Sequence, residues 1–207
     1  MPHLLHIDSA IGDAESRTRK ITAAFAETWR DRGSDFTVEY RDLHANPPPH
    51  LSERSQHWPE RLRNGEMLAP ATAALQEQCI SELLRADVLV VGAPMYNYNI
   101  ASTLKAWIDL VHVPGLTAPF DTDSQPLRGR SAVIVTAQGA PLEPVVEDFA
   151  TGPLRHLLSQ PFGMDVQVIG TSRTLADRIP DLGPAEAEAE LAAATAEARR
   201  LGGSLGG

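Results

Sequence analysis

The residues with the clearest chemical potential lie between an apolar run and a helix-like pattern, in VVGAPMYNYNIASTLKAWID at residues 90–109. Met95, Tyr96 and Tyr98 offer surfaces on which a flat ring can pack. Asn97 can both donate and accept hydrogen bonds, as the uracil-like edge of a flavin requires. These residue types predict a site for a flat, partly polar cofactor ring. The alternative is an aromatic turn packed under a neighbouring loop, with the asparagines as turn formers.

A second segment, DSAIGDAESRTRK at residues 8–20, has the composition of an anion-binding helix start. Unpaired N–H groups at such a start, together with hydroxyls and positive charge, predict a cradle for one phosphate group. The alternative, which the motif alone favours, is that Ser16 is simply the N-cap of the helix. Neither the dinucleotide fingerprint G-x-G-x-x-G nor the P-loop pattern is present. The side chains predicted to form the cradle are Ser9, Ser16, Arg17, Thr18 and Arg19.

A third segment, TAQGAP at residues 136–141, follows another apolar run and contains mostly small residues. Gly139 would let the backbone approach a ring closely, because glycine has no Cβ. On its own this signal is weak, and its interest comes from its place in the order of strands.

Five short apolar runs must position these three segments, and they alternate with stretches of helical period. Pro94 ends the third run, since proline cannot donate to a sheet. This alternation predicts an open parallel sheet with helices on both faces. Ligands of such sheets bind at the carboxyl ends of the strands, where the three segments lie. The predicted strands are residues 3–8, 36–40, 87–93, 131–137 and 165–171.

The predicted helices and connections fill the intervals between the strands. The connections 43–70 and 113–129 are long and irregular, which is typical of segments that build a site or an interface. The helical patterns cover about 16–32, the apolar repeats at 75–84 and 104–111, about 145–159, and a final helix from Pro184.

Composition limits the class of protein. A length of 207 residues suits one α/β domain, which we expect over residues 1–202, with 203–207 as a flexible tail. The net charge of −9 argues against non-specific nucleic-acid binding. The single cysteine, Cys79, excludes an internal disulfide and suits a reducing cytosol. No signal peptide, membrane span or metal-binding spacing is evident, so a cytoplasmic protein without a metal is expected.

The block APMYNYNIASTLKAWID resembles the Pro-Met-Tyr-Asn-(Phe/Tyr) block of the FMN-dependent NADH-azoreductases, which also act as quinone reductases. The segments LHIDSA, SRT, RDLHANPPP and GRSAVIVTAQGA support the resemblance, which extends from about residue 3 to residue 175. It implies a flavodoxin-like fold with strand order 2-1-3-4-5 and a homodimer with a site at each end of the interface. It also implies ping-pong transfer of two electrons from NADH or NADPH through FMN to quinones or azo compounds.

The same resemblance implies roles for individual residues. Phe120 and Phe162 correspond to aromatic residues that line the substrate slot. Two departures from the family pattern, Ala10 in place of a serine and a 137–140 turn without Ser-x-Gly-Gly, remove hydroxyl contacts and predict a reduced FMN affinity. The implied FMN-binding residues are Ser9, Ala10, Ser16, Arg17, Thr18, Pro94, Met95, Tyr96, Asn97, Tyr98, Ala137, Gln138, Gly139 and Ala140.

Two other functions remain open from sequence. Ser9 after Asp8, with Asp109 and His112 at D-x-x-H spacing, faintly resembles a Ser/His/Asp esterase. However, the serine lacks the usual preceding glycine and the D-x-x-H lies within a helix. A non-enzymatic flavin carrier is the other alternative, but such a protein does not need the two long connections.

Overall fold

The computed structural model describes residues 1–12, 15–141 and 149–206. Its strands form one five-stranded sheet in the order β2-β1-β3-β4-β5, and every neighbouring pair is parallel. The predicted parallel sheet and its strand order are therefore confirmed. The strands are β1 (His3–Asp8), β2 (Thr37–Asp42), β3 (Val88–Gly92), β4 (Ser131–Ala137) and β5 (Asp165–Thr171).

Five α-helices follow the predicted helical patterns. The first helix begins one residue after Ser16 because Ser16 is its N-cap. Part of the predicted fourth helix, residues 145–148, lies outside the described residues. Among the described residues, no helix is long and apolar enough to cross a membrane. The helices are α1 (Arg17–Arg30), α2 (Pro70–Arg85), α3 (Ser102–Val111), α4 (Thr151–Ser159) and α5 (Pro184–Ser204).

The helices cover both faces of the sheet, as predicted. Successive residues of a strand point to opposite faces, so Val88 and Val90 pack with α1 and α5. Leu89 and Val91 pack with α2, α3 and α4 on the other face. Because both faces are covered, the central strands are continuous apolar runs.

The C-terminal segment differs from the flexible tail expected over residues 203–207. The last helix continues through Ser204, and Arg32 donates hydrogen bonds to the carbonyls of Gly202 and Leu205. Leu205 packs against the core on the α1 side of the sheet. The expected tail is therefore wrong at least to Leu205, because packing against α1 stabilises this segment; Gly207 lies outside the described residues.

Candidate functional site

The three chemistry-bearing segments meet at one edge of the sheet, where the parallel strands end. Backbone and side-chain hydrogen bonds join the loops that follow β1, β3, β4 and β5. The Ile11 N–H donates to the Tyr96 hydroxyl over 2.8 Å. The Met95 N–H donates to the Ala137 carbonyl over 2.9 Å, and the Gln138 N–H donates to the Thr171 carbonyl over 3.2 Å. The sequence prediction that these segments lie together is confirmed.

The start of α1 has the geometry of an anion-binding site. Ser16 is the N-cap, and its Oγ accepts from the Arg19 N–H over 3.4 Å and lies 3.1 Å from the Thr18 hydroxyl. The capping interpretation of Ser16 is thus confirmed. Within the described residues the N–H groups of Arg17 and Thr18 donate to no protein acceptor. A helix start with free donors favours an anion, so capping and phosphate binding are compatible here.

The two predicted arginines are committed to partners within the protein. Arg19 forms a bidentate ion pair with Asp42, at 2.7 and 2.9 Å, and also donates to the Ala10 carbonyl over 2.9 Å. Arg17 donates to the Ala187 carbonyl over 2.7 Å. The positive charge that both side chains are expected to add to the cradle is therefore shared with partners in the protein, including Glu188, which lies 3.5 Å from Arg17. Arg17 can still contribute its backbone N–H.

Ser9 also differs from the sequence expectation. Its side chain is 2% exposed and donates to the Gly92 carbonyl over 2.7 Å. This hydroxyl joins the ends of two adjacent strands, so it does not extend into the cradle. Ala10 is buried beside it, which leaves only backbone groups at that position for a ligand.

The Tyr-Asn-Tyr-Asn segment forms a tight turn whose second tyrosine points into solvent. The Tyr96 N–H and Asn99 carbonyl pair at 2.8 Å, and the reverse pair is 3.0 Å long. Asn97 and Tyr98 have φ angles of 50° and 66°, a combination typical of a type I′ turn. The turn-former interpretation of Asn97 is confirmed. Tyr98 is 74% exposed, so the alternative of an aromatic ring packed under a loop is wrong for this residue.

The 137–140 turn has backbone N–H donors on the side that faces away from residues 173–175. The carbonyls of residues 138–140 all accept from N–H groups of residues 173–175, over 3.1 to 3.5 Å. Across a trans peptide the carbonyl and the following N–H point in opposite directions. The Gly139 and Ala140 N–H groups therefore point away from that loop. In the part of the chain that the structure describes, neither donates to a protein acceptor.

A buried polar network lies beneath the β1 loop, and sequence reasoning missed it. The Asp8 carboxylate, 3% exposed, accepts from the Thr22 hydroxyl over 2.8 Å and the Tyr40 hydroxyl over 3.1 Å. His6 Nε2 lies 3.3 Å from Asp8 Oδ2. Period-two spacing of His6 and Asp8 on one strand face was the available signal. The apolar residues of this strand, which predict it as part of the core, obscure that signal.

These contacts set the ionisation of the network. Burial would raise the pKa of Asp8, but His6, Thr22 and Arg19 outweigh it and lower that pKa below the ordinary 3.8. Burial, reinforced by the charge of Asp8, raises the pKa of Tyr40 to about 12. The tyrosine thus keeps its proton and donates to an ionised carboxylate, which stabilises the end of β1.

The two phenylalanines predicted for a substrate slot lie in different surroundings. Phe162 is 1% exposed in the core, with its ring centroid 5.8 Å from that of His112. It does not line an open slot, because the turn after α4 directs its side chain inward. Phe120 is 63% exposed, and its ring lies 5.6 Å from that of Trp58. Its position is compatible with either a slot or an interface.

The esterase arrangement is not formed. Asp109 and His112 lie at the end of α3, whose ten residues run about 15 Å back from the edge where the strands end. Asp109 pairs with Lys105, and Ser9 is occupied with Gly92. No Ser/His/Asp site can form from these residues.

A groove of about 980 Å³ lies elsewhere, along α2 and the two long connections. Its lining is mainly apolar and also includes arginine and glutamate side chains. The representative lining residues are Arg61, Arg63, Leu68, Ile80, Val113 and Leu116.

Known proteins are similar to this chain in sequence and in fold. A family described as having a flavodoxin-like fold matches residues 2–201. The FMN-dependent NADH:quinone oxidoreductase of Kineococcus radiotolerans is 48% identical, over 97% of this chain and 100% of that protein. The protein of the same name from Streptomyces coelicolor is 39% identical, over 87% of this chain and 83% of that protein.

Solved structures agree in fold. An FMN-dependent NADH-azoreductase from Bacillus anthracis, in complex with FMN, superposes with a TM-score of 0.82. The two chains are 19% identical, and the superposition covers 100% of each.

Proposed function

The chain belongs to the flavodoxin-like family of the FMN-dependent NADH:quinone oxidoreductases. We therefore propose that it binds FMN and passes two electrons from NADH to quinones and azo compounds. The observation that carries the proposal is the meeting of three donor-bearing loops at one sheet edge. The Ile11–Tyr96 and Met95–Ala137 hydrogen bonds join them.

The residues present fit FMN. The N–H groups at the start of α1 suit its phosphate, and the Gly139 and Ala140 N–H groups suit the pyrimidine edge of the ring, since none of them donates to a protein acceptor in residues 1–12, 15–141 and 149–206. The side chains of the 95–98 turn would contact the ring itself. The proposed FMN-contacting residues are Ser9, Ala10, Ser16, Arg17, Thr18, Pro94, Met95, Tyr96, Asn97, Tyr98, Ala137, Gln138, Gly139 and Ala140, of which Ser9 and Ala10 would use backbone groups.

Bound FMN would supply two-electron transfer, so no side chain of this chain needs to act as a covalent nucleophile. The Gly139 and Ala140 N–H groups would favour negative charge at the adjacent ring edge. The exposed ring of Tyr98 offers a surface for planar substrates at the mouth of the site. If NADH and the acceptor share this mouth, they must bind in turn, which is the ping-pong order we propose.

Initial-rate kinetics test the proposed reaction. With FMN added, NADH oxidation should depend on a quinone acceptor, and double-reciprocal plots at several quinone concentrations should be parallel. Intersecting lines would contradict the ping-pong order alone. A failure to oxidise NADH with any quinone or azo acceptor would contradict the enzyme and leave only a flavin carrier.

We also propose a homodimer whose interface includes the two long connections. Arg61 joins them by donating to the Gly115 carbonyl over 2.8 Å and to Asp121 over 2.6 Å. On the same two connections, Met67 and Phe120 are 82% and 63% exposed. Exposed apolar side chains on both connections favour an interface there. Light scattering coupled to size exclusion should give twice the mass of 22.4 kDa; the monomer mass would contradict the dimer.

A reducing cytoplasm remains the proposed compartment. The single domain expected over residues 1–202 is also retained as a proposal, and the packing of Leu205 extends it to that residue. Burial raises the pKa of the Cys79 thiol to about 11, so this thiol stays protonated and unreactive.

A further inference from the structure

The loop that follows β5, residues 172–175, is bonded along its length to the turn at 137–140. The Thr174 N–H donates to the Gln138 carbonyl over 3.1 Å. Longer bonds, of 3.4 and 3.5 Å, run from the N–H groups of 173 and 175 to the carbonyls of 140 and 139. The direction in which the turn presents its own N–H groups therefore depends on this loop.

The loop is in turn anchored to one carboxylate of α5. Glu190 accepts from the Ser172 N–H over 2.8 Å, from the Ser172 hydroxyl over 2.6 Å and from Arg173 Nε over 3.0 Å. Arg173 also donates to the Leu182 carbonyl over 2.6 Å. One side chain thus fixes two consecutive residues of the loop, and Ser172 is only 1% exposed.

The backbone of the loop is strained at the point where Glu190 holds it. Arg173 has a φ of 58°, a left-handed conformation that costs free energy for a residue with a side chain. Such conformations persist when the surrounding contacts determine them. The carboxylate that pairs with both Ser172 and Arg173 provides those contacts.

Glu190 is ionised in this arrangement. Burial acts to raise the pKa of Glu190, but the hydrogen bonds from Ser172 and Arg173 outweigh burial and lower that pKa below 4.5. The carboxylate oxygens of Glu190 therefore accept hydrogen bonds from three donors. An uncharged glutamine amide at this position could not accept the same three hydrogen bonds.

We infer that Glu190 is a positioning residue for the flavin: by holding Ser172 and Arg173 it fixes the loop that directs the Gly139 and Ala140 N–H groups toward the ring edge. The inference rests on the proposed function. It matters in this chain because the turn at 137–140 has no hydroxyl side chain and must bind through its backbone.

The test compares Glu190→Gln, which keeps the size of the side chain, with Glu197→Gln, which changes a half-exposed carboxylate of the same helix that pairs with Arg200. The FMN dissociation constant is measured by quenching of flavin fluorescence. The midpoint potential of bound FMN is measured against a reference dye, and cooperative unfolding by circular dichroism. Ser172→Ala removes one donor to Glu190 and leaves the Arg173–Glu190 pair in place. It is the test variant if Glu190→Gln does not fold.

We expect Glu190→Gln to raise the dissociation constant for oxidised FMN about tenfold, whereas Glu197→Gln leaves it unchanged. The dissociation constant for reduced FMN should rise about tenfold more than that for oxidised FMN. For a two-electron couple, this difference lowers the midpoint potential by about 30 mV. Ser172→Ala should change both quantities in the same direction by less.

Wild-type affinity and potential in both Glu190→Gln and Ser172→Ala would overturn the inference and leave the proposed function intact. A loss of stability without a change in potential would also overturn it, because the role would then be only structural. A wild-type protein that binds no FMN would overturn the proposed function, and the inference with it.

Discussion

At the scale of single residues, the candidate site consists of backbone groups more than of the side chains predicted from the sequence to form it. The hydroxyl of Ser9 and the guanidinium groups of Arg17 and Arg19 all have partners within the protein. Residue type and position at a strand end could be predicted, but the direction of a side chain depends on neighbours that are distant in sequence. Gly92 is one such neighbour, since it lies 83 positions from Ser9.

Tyr98 combines a strained backbone with an exposed ring, so its replacement should separate stability from activity. Tyr98→Asn puts a residue that tolerates positive φ at a φ of 66°. We expect the free energy of unfolding of the apo-protein to rise by about 1 kcal/mol. We expect kcat/KM for a quinone to fall about tenfold, as the loss of one aromatic contact allows. Urea unfolding and steady-state rates measure the two effects.

Tyr98→Phe is the matched control, because it retains both the ring and the strained backbone. It should change neither quantity. A Tyr98→Asn protein that is less stable than the wild type would show that the ring contributes to the fold of the turn, contrary to this account.

The network around Asp8 predicts a specific pH dependence. Arg19 holds the pKa of Asp42 far below 3.8, and that of Asp8 is also lowered. The unfolded chain binds these protons more readily, so the stability they contribute is present above about pH 4 and lost as the pH falls. The difference in unfolding free energy between wild type and Asp42→Asn should therefore be largest near neutral pH and shrink in acid.

Urea unfolding of both proteins over a series of pH values measures this difference. Asp35→Asn, at an exposed position, should differ little from the wild type at any pH. A difference between wild type and Asp42→Asn that stays constant down to about pH 3 would contradict the role assigned to the Asp42–Arg19 pair.

At the scale of secondary structure, the strands could be predicted closely because their signal is local. The strands predicted at 131–137 and 165–171 match β4 and β5 without change. The end of α5 could not be predicted, because GGSLGG has the composition of a loop. What makes it helical is tertiary contact: Gly202 lies against the backbone of Phe25 on α1, so glycine here permits close approach of two helices.

Gly202 and Gly203 provide a matched pair for testing that contact. A Cβ at residue 202 would lie 2.5 Å from the Phe25 carbonyl oxygen, whereas at 203 the nearest atom is 3.7 Å away. We expect Gly202→Ala to lower the free energy of unfolding by about 1–3 kcal/mol. Gly203→Ala should raise it by about 1 kcal/mol, since alanine favours a helix. Thermal and urea unfolding measure both changes; equal effects would contradict the close packing of α1 and α5.

At the scale of the whole molecule, the alternation of strands and helices was sufficient to predict which three segments meet at one edge of the sheet. Parallel strands bring the segments at 9–18, 93–100 and 137–141 to one edge, although up to about 130 positions separate them. The Asp8 network and the Glu190 anchor were not predicted. Both depend on pairs between elements whose relative register the sequence does not specify.

The central claim is that FMN binds at this edge through the start of α1 and the turn after β4. The most direct test is an amide NMR spectrum of isotope-labelled protein recorded with and without one equivalent of FMN. We expect the largest shifts at Thr18, Gly139 and Ala140, whose N–H groups donate to no protein acceptor among the described residues. A spectrum that FMN leaves unchanged, or shifts confined to the groove along α2, would contradict it.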